Sequence, residues 1–160
     1  MNKILSVIPG FLLCTALLTA CGSDNTVNET TVDILDGQTY SACLGTQRIS
    51  YAFDNGNATR TTATYGATDC AGTATSSVAD SLTYSTGGTI KDKDNNSVTE
   101  FNLVEDNVTT YTIKRLLGGS LGISNLQLGS TSASSSGKDG TTSAKRHDGL
   151  ESTVSYVLQN

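Results

Sequence analysis

The residues that could do chemistry in this 160-residue chain are few. The stretch Gly118-Gly119-Ser120-Leu121-Gly122 has the Gly-x-Ser-x-Gly pattern of a serine nucleophile, and Asp139 and His147 follow in the order of a hydrolase triad. That pattern works where a strand turns into a helix in a parallel α/β sheet, and no helix is predicted after it. The stretch is therefore interpreted as a glycine-rich turn, and no catalytic residue is assigned.

A second candidate for chemistry is a metal site. Asp92, Asp94 and Asn96 alternate as they do at the start of an EF-hand calcium loop. The stretch lacks the glycine and the glutamate that such a loop needs at its sixth and twelfth positions. His147 is the only histidine, and one histidine does not build a metal site by itself. A turn is predicted here, with calcium binding as the alternative, and no metal or cofactor is assigned.

The most specific motif lies near the start of the chain. Met1 to Leu18 combine one positive charge with an apolar run that is shorter than the about 20 residues of a membrane span. This layout is typical of a cleaved secretory signal; an uncleaved transmembrane anchor is the alternative. Leu18-Thr19-Ala20-Cys21 resembles a bacterial lipobox, and the resemblance implies that residues 1–20 are removed and that Cys21 carries lipid.

The same motif predicts where the protein is located. Gly22 stands where an aspartate would retain a lipoprotein at the inner membrane, so the expected location is the outer membrane, on its periplasmic or surface face. Loss of residues 1–20 removes only one charge, that of Lys3, and changes the net charge from −5 to −6. An acidic chain without a basic stripe argues against nucleic-acid binding. The expected membrane contact is therefore through the N-terminal lipid alone.

The remaining cysteines predict a disulfide. Cys14 leaves with the signal and Cys21 carries lipid, so Cys43 and Cys70 remain in an oxidising compartment. A bond between them would close a loop of about 27 residues and contribute roughly 3–4 kcal/mol. Free or metal-binding thiols are the alternative.

Alternation of apolar and polar residues predicts an all-β domain over residues 37–160, after a polar tether over residues 21–36. About eight short strands at regular spacing favour a small antiparallel up-and-down barrel, which leaves no exposed sheet edge. The predicted strand segments are 37–44, 47–53, 58–66, 78–84, 89–91, 98–104, 108–116, 121–128 and 152–158. A long Ser/Gly-rich loop spans residues 129–149.

Six aromatic residues are predicted to face the barrel interior. They would either line a cavity for a small apolar ligand or fill the core. These residues are Tyr51, Phe53, Tyr65, Tyr84, Phe101 and Tyr111.

The order of motifs resembles a group of uncharacterised gammaproteobacterial outer-membrane lipoproteins. In that group the lipobox and tether precede a Tyr-x-x-Cys motif, a hairpin and a second cysteine. The later part of the chain contains a Leu-x-x-Gly motif, an Asp-Gly-Thr segment, an arginine and a final strand with a tyrosine. The matching residues here are Tyr40, Cys43, Cys70, Gly72, Leu126, Gly129, Asp139, Gly140, Thr141, Arg146 and Tyr156. The resemblance implies a lipocalin-like barrel without a known activity. Arg146-His147 stands where the group has Arg-Pro, and the chain lacks the tryptophan of true lipocalins.

These observations favour a non-enzymatic, lipid-anchored envelope protein that binds a ligand through its mouth or loops. The alternative is a structural or protein-interaction lipoprotein, such as an assembly partner, adhesin accessory or inhibitor, with the loop over residues 129–149 as its contact surface. Lys145, Arg146 and His147 form a basic cluster in this loop, and the nearby Asp148 and Glu151 are expected to neutralise it.

Overall fold

A computed structural model describes residues 34–119 and 122–159, which form a closed barrel of eight antiparallel strands in sequence order. Each strand pairs with the next, and the last pairs with the first. The predicted all-β, up-and-down, lipocalin-like barrel is confirmed. The strands are β1 (Thr39–Leu44), β2 (Gln47–Asp54), β3 (Asn57–Thr64), β4 (Ser76–Lys91), β5 (Ser97–Glu105), β6 (Val108–Gly119), β7 (Gly122–Leu128) and β8 (Tyr156–Gln159).

Two tight turns show why the strands follow each other as hairpins. Asn55 and Gly56 join β2 to β3 with φ values of 47° and 77°. Asp106 and Asn107 join β5 to β6 with φ values of 49° and 63°. Positive φ at both central residues matches the right-handed twist of paired strands, and Gly, Asn and Asp tolerate it best. Local sequence therefore sets these two connections.

Gly87-Gly88 and Gly118-Gly119 belong to strands β4 and β6, although both pairs lie outside the predicted strand segments. β4 is one strand of 16 residues, where the sequence predicted two strands separated by Gly87-Gly88. Its register with β5 shifts between Thr86 and Thr89, so the glycines form a bulge. A Cβ on Gly87 would lie 2.7 Å from Glu100 Oε2, which explains the need for glycine there. β6 likewise continues to Gly119 instead of ending at Leu116.

One end of the barrel is closed by residues that the sequence assigned to the tether. Leu35 is fully buried in the core. Gln38 N donates to Leu35 O at 3.0 Å, and Gly37 N donates to Phe53 O at 2.9 Å. The packed chain therefore begins before the predicted boundary at Gly37. Cys21, the predicted signal over residues 1–20 and most of the predicted tether lie outside the described residues.

Aromatic side chains fill the interior next to this closed end. The ring of Phe53 lies 5.1 Å from that of Tyr84, 6.1 Å from Tyr51, 6.2 Å from Phe101 and 6.3 Å from Tyr40, measured between centroids. Edge-to-face and offset pairs of this kind stabilise a core by about 0.5–1.5 kcal/mol each beyond the area they bury. The closed end is thus a packed aromatic core.

The predicted disulfide between Cys43 and Cys70 is present. It joins the end of β1 to the loop between β3 and β4, at the end of the barrel opposite Leu35. Arg48 supports the same loop, because its Nη2 donates to Cys70 O at 3.1 Å. The bond therefore holds a loop at the rim of the barrel.

The long connection between β7 and β8 is fixed to the outer face of the barrel. Tyr111 N donates to Gly140 O at 2.8 Å, and His147 N donates to Tyr111 O at 3.1 Å, so the connection continues the hydrogen bonding of β6. Arg146 Nη1 donates to Thr112 O at 2.7 Å and to Asn102 Oδ1 at 2.9 Å. Residues 129–149 are thus an ordered part of the domain.

The charges of the basic cluster in this connection are neutralised by partners that the sequence did not indicate. Arg146 Nε lies 3.1 Å from Glu100 Oε1 on β5, and Lys145 Nζ lies 3.6 Å from Asp139 Oδ2. The expectation that Asp148 and Glu151 would pair with the cluster is wrong. Their carboxylates instead accept hydrogen bonds from serine and threonine side chains or serine N–H groups.

Candidate ligand-binding mouth

Strand register decides which aromatic residues face the interior. Phe53 is buried and pairs with Ala58, which is also buried. Because side chains alternate along a strand, the inward positions of β3 are Ala58, Arg60 and Thr62. Tyr65 falls in the opposite series and lies on the outer face, where the Arg48 guanidinium stacks 5.1 Å from its ring centroid. The prediction that Tyr65 faces inward is wrong.

Tyr111 also faces outward. Phe101 pairs with Thr112 across β5 and β6, and both are almost fully buried, so the residue next to Thr112 points away from the interior. The Arg146 guanidinium lies 5.5 Å from the Tyr111 ring centroid on that outer face. The prediction assigned the two faces of β6 the wrong way round. The connection over residues 129–149 covers the outer face of this strand, so Ile113 is fully buried although it faces outward.

The other four predicted aromatic residues lie inside the barrel and contact one another. They are at most 8% exposed, and they are Tyr51, Phe53, Tyr84 and Phe101. We call these four side chains the aromatic floor of the interior.

A cluster of three charged side chains occupies inward positions above this floor. Arg60 pairs in register with Tyr51 on one side and with Asp80 on the other. Its Nη2 lies 2.8 Å from Asp80 Oδ2 and 2.6 Å from Glu105 Oε1, and its Nη1 lies 3.0 Å from Glu105 Oε2. The guanidinium is therefore held from two sides by carboxylates.

The charged cluster is in contact with solvent although it faces inward. The side chains of Arg60, Asp80 and Glu105 are 30%, 33% and 35% exposed. Glu105 is the last residue of β5, so the cluster lies near the end of the barrel, where inward side chains reach water. Burial alone would lower the pKa of Arg60, but the adjacent carboxylates of Asp80 and Glu105 outweigh this effect and raise it. Arg60 thus stays charged, and the three groups together carry a net charge of −1.

Two tyrosine hydroxyls connect the cluster to the aromatic floor. The Tyr51 hydroxyl lies close to Arg60 and to Tyr156, and the two tyrosine rings meet edge to face at 5.3 Å between centroids. Burial raises the pKa of Tyr51 and Tyr156, so both keep their hydroxyl protons at neutral pH. The base of the mouth therefore presents hydroxyl groups and aromatic rings.

The rim of this mouth is apolar. Leu44, Val78 and Val108 are in register with inward positions of neighbouring strands and are 36%, 61% and 67% exposed. Among the residues that the structure describes, they are three of the five large apolar side chains that remain exposed. An apolar rim around a few polar groups is the usual composition of a ligand pocket. We call the following residues together the mouth: Leu44, Val78, Val108, Arg60, Asp80, Glu105, Tyr51 and Tyr156.

The sequence carries one signal of the mouth, which is a charged residue within an apolar series. Asp80 interrupts the alternation of Val78, Leu82 and Tyr84 on β4. A charge within an otherwise apolar inward series is expected only where it has a partner, because an unpaired buried charge is costly. Arg60 on β3 and Glu105 on β5 gave no such signal, because their strands could not be paired without the structure.

A groove of about 440 Å³ lies on the outer surface, between the turn at residues 92–96 and the β7–β8 connection. Its polar groups bind one another. Asp92 accepts from Asp94 N at 2.9 Å and from Asn96 N at 2.8 Å, and Arg115 Nη2 donates to Gln127 Oε1 at 2.8 Å. Burial alone would raise the pKa of Asp92, but the hydrogen bonds from Asn96 and Asp94 lower it. The predicted turn at Asp92 is present, and its carboxylate stabilises the turn itself.

The other candidates for chemistry gain no support from the geometry. No group of three or more His, Cys, Asp or Glu side chains in the described part of the chain is placed to hold a metal ion. Ser120 of the triad pattern lies outside the described residues. Asp139 Oδ1 accepts from Thr141 Oγ1 at 2.7 Å, and His147 Nε2 lies 3.1 Å from Thr131 Oγ1. Both side chains thus stabilise the β7–β8 connection.

The fold and the mouth together define a class: a small lipocalin-like antiparallel β-barrel with a packed aromatic core and a partly exposed charged cluster at inward positions. Such a barrel is compatible with a binding module. Comparison of the chain with protein-family models, with curated proteins and with solved structures finds no match. Within residues 34–119 and 122–159, no helix has the length and apolar character needed to cross a membrane.

Proposed function

We propose that this protein is a non-enzymatic, lipid-anchored binding protein of the cell outer membrane that takes a small ligand into the mouth of its barrel. One observation carries the proposal: Arg60, Asp80 and Glu105 occupy inward positions of the barrel and yet are about one third exposed. The exposed apolar side chains of Leu44 and Val78 lie at the same end of the barrel.

The cost of placing charges inside a barrel supports a binding role. Desolvation of an ion pair often exceeds its Coulomb attraction, and apolar residues of similar volume are frequently as stable or more so. A barrel that only needed to be filled would continue its aromatic core to the second end. A charged, hydrated set of groups there instead provides orientation for an incoming ligand.

The anchor at Cys21 supports the location. Two or three acyl chains give durable membrane attachment, whereas one chain binds only marginally. The chain from Cys21 to Ile34 has 14 residues and can span at most about 45 Å when extended, which is enough to hold the barrel clear of the lipid surface. Mass spectrometry of the mature protein tests this part: a lipid-modified N-terminus at Cys21 is expected, and an unmodified cysteine would refute it.

Ligand entry is tested by nuclear magnetic resonance on the full lipidated chain in lipid nanodiscs, with 13C label in the tyrosine rings. The probes are 1-hexanol and hexylammonium, which are short enough to stay monomeric in water. Binding in the mouth should shift the ring signals of Tyr51 and Tyr156. The outer-face rings of Tyr65 and Tyr111 serve as internal controls and should not move.

A pair of variants on one strand distinguishes mouth binding from binding elsewhere. Thr62 is an inward position that pairs with Val78 at the rim, and Thr61 beside it faces outward. Thr62→Trp should block the mouth and weaken probe binding at least tenfold, whereas Thr61→Trp should leave binding unchanged. Equal binding by both variants, or no shift with either probe in the original protein, would contradict the proposed function.

A second candidate is a protein-interaction lipoprotein that contacts its partner through the β7–β8 connection. It is favoured by the fixed position of this connection, which Arg146 holds against Thr112 and Asn102. Crosslinking from a residue at its exposed surface, such as Ser136→Cys, should then capture one specific envelope protein. Recovery of the same proteins with an outer-face control, Ser50→Cys, would count against it.

A further inference from the structure

We infer that the mouth selects a monocationic amphiphile, such as a primary ammonium or a guanidinium on a short apolar chain. The inference rests on the proposed function and adds to it the chemical class of the ligand. Three features of the mouth carry it: the sign of its charge, the acceptors it presents, and the position of its apolar rim.

Within the cluster of Arg60, Asp80 and Glu105, one cation faces two anions. The other cation that faces the interior, Lys114, is 3% exposed and lies over the Phe101 ring, with its Nζ 5.2 Å from the ring centroid. Arg60 directs its guanidinium at Asp80 and Glu105, with four N···O contacts between 2.6 and 3.2 Å. The N–H groups of the Arg60 guanidinium are thus already bound to carboxylates. An anionic head group would have to displace one of them and then lie beside the other. A cationic head group meets a net charge of −1 and displaces nothing.

The hydrogen-bond acceptors of the cluster also favour a cationic ligand. Asp80 Oδ2 takes both hydrogen bonds from Arg60, and Oδ1 accepts none from the residues that the structure describes. A carboxylate oxygen accepts more than one hydrogen bond, so Oδ1 can receive an ammonium proton. The rings of Tyr51 and Tyr156 lie next to the cluster, and the faces of aromatic rings attract cations.

The apolar rim lies closer to the end of the barrel than the charged cluster does. This order determines which end of a bound ligand is charged and which end is apolar. Val78 is two residues closer to the strand end than Asp80, and Val108 pairs with Glu105 at the β5–β6 turn. A ligand that places its cationic head at Asp80 therefore places its chain against Val78, Val108 and Leu44. An amphiphile fits this order, whereas a small polyamine would leave the rim uncovered.

The test compares three probes of equal chain length: hexylammonium, hexanoate and 1-hexanol. Their dissociation constants are measured on the full lipidated chain in uncharged nanodiscs, from the Tyr51 ring signal. Hexylammonium should bind at least tenfold more tightly than hexanoate, with hexanol between them, and added salt should reduce the difference. Asp80→Asn, which keeps the side-chain shape, should remove most of this preference. The control Asp54→Asn, on the outer face of β2, should not change it.

The outcomes separate the two proposals. Equal or tighter binding of hexanoate would overturn the cationic class and leave the ligand-binding mouth in place. No shift of the Tyr51 ring with any of the three probes would overturn both. Loss of preference in Asp54→Asn as well as in Asp80→Asn would show that general surface charge, and not the mouth, discriminates among the probes. Circular dichroism melting of each variant confirms that the barrel is intact.

Discussion

Replacement of Arg146 by alanine is expected to release the β7–β8 connection from the barrel. The Arg146 side chain is only 11% exposed. It donates hydrogen bonds to Phe101 O at 3.1 Å, Asn102 Oδ1 at 2.9 Å and Thr112 O at 2.7 Å, and it pairs with Glu100. A single side chain therefore joins the long connection to both β5 and β6.

The magnitude follows from these contacts. A hydrogen bond that involves a charged group contributes about 1.5–3 kcal/mol, but bonds within one network do not add. Loss of one partner of a buried ion pair costs about 3–5 kcal/mol, because the other charge remains buried. Glu100 is 35% exposed and can regain water, which favours the lower limit. We expect Arg146→Ala to reduce the free energy of unfolding by about 3 kcal/mol.

Two measurements check this value. Urea unfolding followed by circular dichroism gives the loss of stability, and hydrogen exchange should show faster exchange at Gly140 and His147, whose N–H groups are hydrogen-bonded in the anchored connection. Lys145→Ala is the matched control, since Lys145 is 54% exposed and its contact with Asp139 is 3.6 Å long. It should cost under about 0.5 kcal/mol. A loss of under about 1 kcal/mol in Arg146→Ala, or unchanged exchange, would refute the reasoning.

Three further predictions concern the core, the disulfide and the single histidine. Phe101→Ala removes a fully buried ring at the centre of the aromatic floor and should cost about 3–5 kcal/mol in urea unfolding; a loss below about 1 kcal/mol would mean that the floor is loosely packed. Replacing Cys43 and Cys70 by serine should cost about 3.5 kcal/mol, because the bond closes a 27-residue separation; an unchanged urea midpoint would contradict this. Burial lowers the pKa of His147, so the unfolded chain binds its proton more readily, and stability should fall between about pH 7 and about pH 5. His147→Gln should flatten this fall in melting temperature, and an unaltered pH dependence would assign it to other groups.

The hydrophobic pattern located the strands better than it located their faces. Tyr51 and Phe53 were placed correctly because β2 has one solvated face, where alternation gives the inward side directly. Tyr111 was misplaced because β6 is covered on both faces: Thr112 and Lys114 are buried inside and Ile113 is buried outside. On such a strand apolar character no longer marks the interior.

The sequence by itself determined the class of fold, two of the tight turns and the disulfide. Alternation and positive-φ residues act within a few positions, and Cys43 and Cys70 are the two cysteines of the sequence that follow the predicted lipobox. The tertiary structure alone decided the mouth. Arg60 is 20 residues from Asp80 and 45 residues from Glu105 in the chain, and only the register of β3, β4 and β5 brings them together. It also decided the contacts of Arg146, which bonds to strand atoms more than 30 residues away. Local propensity is encoded in short stretches, whereas the partners of these charged groups depend on the register of neighbouring strands and on how the β7–β8 connection packs against them.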